Sequence, residues 1–145
     1  GLDPQACGDS FRRALESYPR FFPEFRFAGL WTKSWLLDPR FDGMLPPEAN
    51  IVRLQRELFL YPGIQGDNGQ IYNRVFGWGV SSLAQAERKS SLQKAVYAYL
   101  EQGGHFHGGY AFALVEDFRW GAQSYRGRPL PEGAGVSPAG EAALA

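Results

Sequence analysis

The amino-acid sequence predicts a small α/β or α+β domain, in which a sheet of few strands is flanked by helices. Segments with helical and strand periodicity follow one another in the order helix, strand, helix, strand, short helix, long helix, strand. Strands that are separated by helices favour parallel pairing through crossover connections. With 44% hydrophobic and 21% charged residues, the 145-residue chain can bury the core of one domain.

The first part of the chain predicts two helices around a strand. Asp3 and Pro4 are typical of a helix N-terminus, and apolar residues then recur at helical spacing until Pro19 stops the helix. Alternation of side chains from Phe27 to Leu37 predicts a strand. The second helix opens at Pro46-Pro47-Glu48.

The second part predicts a short strand that ends at Pro62, a short helix before Gly77, and then the clearest helix of the sequence. This long helix starts at Ser90, which forms the Ser-x-x-Gln pattern of a capping box with Gln93. The segment 105–116 follows as a strand that is apolar on both faces, so we expect it to lie inside the sheet. Residues 1–125 thus form the predicted domain, and the Gly, Pro, Ala and Glu-rich residues 126–145 are predicted to be a flexible tail.

Composition excludes several classes of protein. Fifteen Lys+Arg balance fifteen Asp+Glu, which argues against a nucleic-acid-binding protein. No apolar run approaches the roughly 20 residues of a membrane span. Cys7 is the only cysteine, which excludes an internal disulfide or a Cys-based zinc site and fits a reducing cytoplasm. We therefore expect a cytoplasmic protein; the initial Gly1 suggests a processed chain or a piece of a longer protein.

Aromatic residues make up 15% of the chain and are spread along most of it. One interpretation is a core or an inter-domain contact built of large rings. The other is a ligand groove lined with rings.

Five segments together resemble a known family, although each is short. They are Ser34-Trp35-Leu36-Leu37-Asp38-Pro39, Leu45-Pro46-Pro47, Asn50-Ile51-Val52-Arg53, Arg74-Val75-Phe76-Gly77 and Ser91-Leu92-Gln93. The chain, from Leu2 to about Tyr125, resembles the GNAT-like C-terminal domain of bacterial acyltransferase-domain proteins. In that family the domain follows a helical N-acyltransferase-type N-terminal domain, and a strand usually precedes the position of Leu2. The resemblance implies a GNAT-like sheet that lacks an upstream strand or half.

The resemblance also implies a function. It implies transfer of an acyl group from acyl-CoA to the amine of a small-molecule acceptor, with the N-terminal domain of the same longer protein as partner and no metal. The alternative is a non-catalytic GNAT-like domain that binds a ligand or packs on its N-terminal partner through the aromatic surface. A metal-dependent enzyme is the third interpretation. Whether the domain is catalytic stays open.

The pattern Arg-x-x-Gly-x-Gly at Arg74, Gly77 and Gly79 supplies the candidate cofactor site. In GNAT enzymes such a loop joins a strand to a helix N-terminus, and its backbone N–H groups hold the pyrophosphate of CoA. The competing interpretation is a helix C-terminus that stops at Gly77.

The remaining candidate site residues concern proton transfer and the substrate. His105 and His107 would share one side of a strand, where they could bind a metal, act as a general base, or simply begin the strand. Tyr72 is a candidate general acid for the leaving thiolate, by resemblance. Asn50 and Arg53 share a helix face and could bind an anion, or form a solvated face. They are the candidate substrate-binding residues together with Trp35.

Overall fold

The computed structural model describes residues 2–63 and 68–125, so the predicted tail at 126–145 lies outside the described residues. Its sheet contains β1 (Gly29–Ser34), β2 (Phe59–Pro62) and β3 (Gly109–Leu114) in the order β1-β3-β2. β3 pairs antiparallel with both neighbours. The expected helices around a small sheet are confirmed, but the expected parallel pairing is wrong. β1 and β2 do run in the same direction, yet β3 separates them and pairs with each.

The first helix, α1 (Pro4–Phe21), begins as the sequence predicts. The Asp3 side chain caps the helix by accepting a hydrogen bond from the Gln5 amide at 3.1 Å, and Pro4 occupies the first turn. The helix continues two residues past Pro19, its predicted end. Cys7, Phe11 and Leu15 lie on one face and pack against the sheet core.

The first and last strands are shorter than the sequence predicts. Residues 35–37, expected in the first strand, form a 3-10 turn, which the Ser34 hydroxyl caps by accepting from the Leu36 amide at 3.2 Å. β3 begins at Gly109, so His105 and His107 precede the strand. The expectation that both histidines project from one side of a strand is therefore wrong. A central position for β3 is confirmed, because Ala111 and Ala113 are fully buried between its two neighbours.

Short helices connect the strands. Two helices, α2 (Phe41–Met44) and α3 (Asn50–Arg56), lie between β1 and β2. The helix α4 (Gly69–Ile71) continues into a π-helical turn at Tyr72–Phe76, and a 3-10 turn at Leu83–Gln85 precedes α5 (Ser91–Glu101). The predicted capping box of α5 is confirmed: the Ser90 hydroxyl accepts from the Gln93 amide, and the Gln93 side chain accepts from the Ser90 amide.

Two groups of buried residues hold these elements together. One group joins the connecting helices and consists of Phe41, Leu45, Ile51, Val52, Ile71, Val75, Phe76, Val96, Leu100 and Phe106. The other lies under the sheet and consists of Leu37, Leu54, Leu58, Ala111, Ala113 and Phe118. Because α3 supplies Val52 to the first group and Leu54 to the second, it fixes the helical layer relative to the sheet.

The opposite side of the sheet carries stacked rings. Tyr110 on β3 stacks with Trp31 on β1 at a centroid distance of 5.7 Å and with Tyr61 on β2 at 5.2 Å. The Trp31 indole donates a hydrogen bond to the Tyr61 hydroxyl at 2.7 Å. Trp31 and Tyr61 remain exposed, so this ladder of rings forms part of the outer surface.

None of the helices described here combines the length and the apolar character that crossing a membrane requires.

The first residue of β3 lies very close to the backbone of the turn that follows β1. A Cβ atom at Gly109 would overlap the carbonyl of Leu37 and contact the amide of Asp38. Only a residue without a side chain allows the two backbones to approach this closely. Gly109 therefore determines how the turn after β1 meets the beginning of β3.

We predict that Gly109→Ala lowers the free energy of unfolding by about 3 kcal/mol, because backbone atoms must move apart to admit the methyl group. Gly43→Ala is the matched control: it also adds one methyl group, but no atom lies within 4 Å of the added Cβ. The control should leave stability unchanged or raise it slightly, since alanine favours a helix. Urea denaturation of the three proteins measures both effects. Equal stability of the two variants would contradict the close contact.

Candidate functional site

A fully buried carboxylate, Asp38, directly follows the 3-10 turn after β1. Its Oδ2 accepts a hydrogen bond from the His107 amide at 2.8 Å, and its Oδ1 accepts from the Arg40 amide at 3.1 Å. The Arg40 guanidinium donates from Nη1 to both oxygens, at 3.1 and 2.9 Å. Four donor contacts thus compensate the burial of this charge. Asp38 therefore holds Arg40 and the His107 backbone in place and is not a free base.

His107 is held by the same arginine. Its Nε2 lies 3.2 Å from Nη2 of Arg40. Because a guanidinium can only donate, His107 Nε2 is the acceptor in this hydrogen bond. The ring nitrogen that would receive a proton is therefore already occupied in this arrangement.

His105 has different surroundings although it is two residues away. Its ring is exposed, and its Nδ1 lies 3.5 Å from the side-chain nitrogen Nδ2 of Asn68. Its carbonyl accepts from the Tyr99 hydroxyl at 3.2 Å. Between the two histidines, Phe106 is buried against Phe41 and Tyr99. The two imidazoles consequently contact different groups.

Asn68 links His105 to the third candidate catalytic residue, Tyr72. The Asn68 side chain accepts from the Phe106 amide at 2.9 Å and donates to the Gly104 carbonyl at 3.1 Å. Its own carbonyl accepts from the Tyr72 amide at 3.0 Å. Tyr72 is half-buried in the helical segment that Asn68 begins. The side chain and the backbone carbonyl of Asn68 therefore join the segments of Tyr72 and His105.

Within residues 2–63 and 68–125, no group of three or more His, Cys, Asp or Glu side chains is arranged to bind a metal ion. Cys7 is half-buried against the sheet, and burial together with the nearby Asp3 carboxylate raises the pKa of its thiol.

The Arg74–Gly79 segment follows a helix and not a strand. The helical segment ends at Gly77, whose φ of 124° lies in the region that favours glycine. The Gly79 amide donates to Asn73 Oδ1 at 3.0 Å, and α5 begins only at Ser91. These contacts favour the helix-stop interpretation for Gly77. Arg74 and Trp78 are exposed, and no atom lies within 4 Å of a Cβ built on either glycine, so the surface there is open.

Two of the three candidate substrate residues line one cleft of about 850 Å³. Trp35 is half-buried there, with its ring edge-on to Phe41. Asn50 is the first residue of α3, and its side chain donates to the Leu2 carbonyl at 2.6 Å. The start of α5, at Ser90 and Ser91, forms the opposite part of the lining. Arg53 is exposed on α3 but does not line this cleft.

Sequence reasoning missed Arg40 and Asn68, which contact the histidine segment, and Gln55, which contacts the turn before Asp38. Gln55 is buried and donates from Nε2 to the carbonyls of Leu36 and Asp38 at 2.7 and 2.9 Å. The signal for Arg40 is its position two residues after Asp38, next to Pro39. Gln55 and Asn68 carry no comparable signal, because their partners are distant in sequence.

The sequence model of the GNAT-like C-terminal domain matches residues 1–112. The chain belongs to this family. The membership confirms the resemblance seen in the five sequence segments. No curated protein sequence matches the chain significantly.

Solved structures of acyltransferases are similar to this domain. One acyltransferase in complex with decanoyl-CoA and teicoplanin is 33% identical, with a TM-score of 0.68. A mutant acyltransferase in complex with octanoyl-CoA is also 33% identical, with a TM-score of 0.67. An acyltransferase in complex with CoA and 10C-teicoplanin is 31% identical, with a TM-score of 0.68. Each alignment covers 78% of this chain but 36% of the solved one, so the chain spans about a third of these acyltransferases.

We predict that Asp38→Asn lowers the free energy of unfolding by about 3 kcal/mol, because it leaves Arg40 and the His107 amide facing an amide group instead of a carboxylate. Asp9→Asn is the control, since Asp9 pairs with Arg12 on the exposed surface of α1. Its expected cost is at most about 1 kcal/mol. Chemical denaturation compares the two, and similar small losses would show that the Asp38 cluster does not stabilise the fold.

Proposed function

We propose that this domain is the C-terminal, GNAT-like part of an acyl-CoA-dependent acyltransferase that acylates an amine of a small-molecule acceptor. The observation that carries the proposal is the 33% identity, over 78% of the chain, to acyltransferases solved with acyl-CoA. Because the alignment covers only 36% of those chains, we propose that an N-terminal domain of the same protein supplies the rest of the active site. An intracellular donor of this kind agrees with the cytoplasmic location expected from the sequence.

The proposed reaction is attack of the acceptor nitrogen on the thioester carbonyl carbon. The new C–N bond forms, the C–S bond breaks, a base takes the proton of the amine, and the CoA thiolate takes a proton from an acid. His105 is the favoured base, since its ring is exposed and no partner of its Nε2 is found among the described residues. Tyr72 is the proposed acid. For His107 to act as the base, Arg40 would first have to release its Nε2.

Arg74, Gly77 and Gly79 are the proposed contacts to the pyrophosphate of CoA. The exposure of Arg74 and the open space around both glycines support this assignment. The Gly79 amide is already bonded to Asn73, so the Arg74 guanidinium would carry most of the charge recognition. Trp35, Asn50 and Arg53 are proposed to bind the acceptor, and the cleft beside Trp35 and Asn50 is large enough for a small molecule.

We predict that acyl-CoA stabilises the folded protein. At 100 times its dissociation constant, it should raise the free energy of unfolding by about 2.7 kcal/mol. Arg74→Ala should weaken binding about tenfold, because it removes a charged contact to phosphate, whereas Arg13→Ala on the exposed surface of α1 should have no effect. Thermal shift and calorimetry with CoA and acyl-CoA measure these changes. Unchanged binding in Arg74→Ala would remove the proposed pyrophosphate site.

If His105 is the base, its replacement should lower kcat far more than replacement of His107. His105→Asn should lower kcat by about 100-fold or more while acyl-CoA binding stays unchanged. His107→Asn should change kcat by less than about tenfold, since its ring nitrogen is already occupied by Arg40. Release of the CoA thiol in the presence of an amine acceptor, with the N-terminal domain present, measures both rates. The reverse pattern would assign the base to His107.

A non-catalytic domain that packs on a partner is the second candidate function. The exposed rings near the end of α1 favour it, because apolar surface of this kind is common at interfaces. Acyl-CoA would then leave the melting temperature unchanged, while addition of the N-terminal domain would raise it.

A further inference from the structure

Gln55 has a buried side-chain oxygen without a hydrogen-bond donor. The residue is 2% exposed, and its Nε2 donates to the carbonyls of Leu36 and Asp38. The reverse orientation of the amide would place its oxygen against these two carbonyl oxygens, so Oε1 must be the atom on the other side. Oε1 has no partner within residues 2–63 and 68–125. An unpaired buried acceptor is unfavourable, so this position calls for a donor from a bound molecule.

Gln55 lines a cavity of about 340 Å³ together with three consecutive residues, Leu58, Phe59 and Leu60. Leu58 and Leu60 pack under the sheet, whereas the Phe59 ring contacts Phe112 on the other face. Because consecutive side chains of a strand point to opposite faces, a cavity that touches all three lies along the edge of β2. We call this space the edge cavity.

The backbone of Leu60 faces the edge cavity and not β3. The Gly63 amide donates to the Gly108 carbonyl at 3.2 Å, so the odd-numbered residues of β2 form the hydrogen bonds with β3. The N–H and C=O of Leu60 therefore point to the outer edge of the sheet, where the described part of the chain gives them no partner. The edge cavity thus brings together one donor, the Leu60 N–H, and two acceptors, the Leu60 carbonyl and Gln55 Oε1.

The charges of the edge cavity compensate one another. Asp42 and Arg56 are the charged residues of its lining, and Arg56 donates from Nε and Nη2 to Asp42 Oδ1 at 3.2 and 3.1 Å. The surroundings therefore favour a neutral ligand. A neutral group that donates and accepts hydrogen bonds at the spacing of a strand is the secondary amide of an extended peptide.

We propose that the edge cavity binds a short extended peptide, which adds to the outer edge of β2. One ligand residue exchanges hydrogen bonds with the N–H and C=O of Leu60, and the next ligand N–H donates to Gln55 Oε1. The volume of the edge cavity lies in the range of small-ligand sites. None of the residues assigned to acyl transfer lines it, so the inference does not depend on the proposed function.

The experiment titrates N-acetyl-leucine N-methylamide into the isotopically labelled full chain and follows the backbone amides by NMR. The Leu60 resonance should shift, and at saturation its amide should exchange with solvent about tenfold more slowly, because its N–H becomes hydrogen-bonded. Lys33 provides the internal control. The Val115 amide donates to the Ala28 carbonyl, so the even-numbered residues of β1 pair with β3, and the Lys33 amide faces the opposite edge of the sheet. It should not respond to the probe.

The methyl ester of N-acetyl-leucine tests the role of Gln55. It has an ester oxygen in place of the N–H that the amide directs at Oε1, and it should bind about tenfold more weakly. Leu60→Pro removes the outward N–H without removing a hydrogen bond to β3, and it should weaken binding of the amide at least about tenfold. Lys33→Pro is the matched control, since it removes an outward N–H from the opposite edge and should leave binding unchanged.

Four outcomes overturn the inference. One is a Leu60 amide that does not respond up to the solubility limit of the probe, a result that the wild-type chain gives even if Leu60→Pro fails to fold. Equal affinity for the amide and the ester would leave Gln55 Oε1 without a role. A Leu60 amide that is protected before the probe is added would show that the chain itself occupies this edge. Protection that rises with protein concentration would assign the edge to a second copy of the chain.

Discussion

The structure depends on the contact between the end of β1 and the residues that lead into β3. Gly109 lies so close to the Leu37 carbonyl that no side chain fits there, and the His107 amide is bonded to the buried Asp38 carboxylate. A charge buried this deeply is tolerated only because Arg40 and two amides surround it. This one arrangement fixes β3 between its neighbours and also positions the histidine segment.

The same contact gives the two candidate histidines, His105 and His107, different surroundings. Asp38 and Arg40 hold His107 from one side, whereas Asn68 holds the backbone around Phe106 from the other and leaves the His105 ring exposed. The side chains that stabilise the fold are thus bonded to one histidine and leave the other accessible to solvent. The contact that stabilises the fold and the proposed proton transfer thus involve different residues of a three-residue segment, and mutation can test them separately.

The two faces of the sheet have different roles. α1 and α3 cover one face with apolar side chains, including Phe11 and Leu54. The other face carries the stacked rings of Trp31, Tyr110 and Tyr61. Rings on a surface of this kind are unfavourable in water, so their concentration near β1 indicates contact with an apolar ligand or with another domain.

By itself, the sequence determined the features that depend on neighbouring residues: the Asp3 cap, the Ser90–Gln93 capping box, the apolar strand β3 and the family. Only the tertiary structure decided the antiparallel order β1-β3-β2 and the separate surroundings of His105 and His107. It also showed that Gly77 ends a helical segment. Caps and periodicity act over a few residues, whereas strand order and the contacts of Arg40 or Asn68 join segments far apart in the chain, which no local pattern encodes.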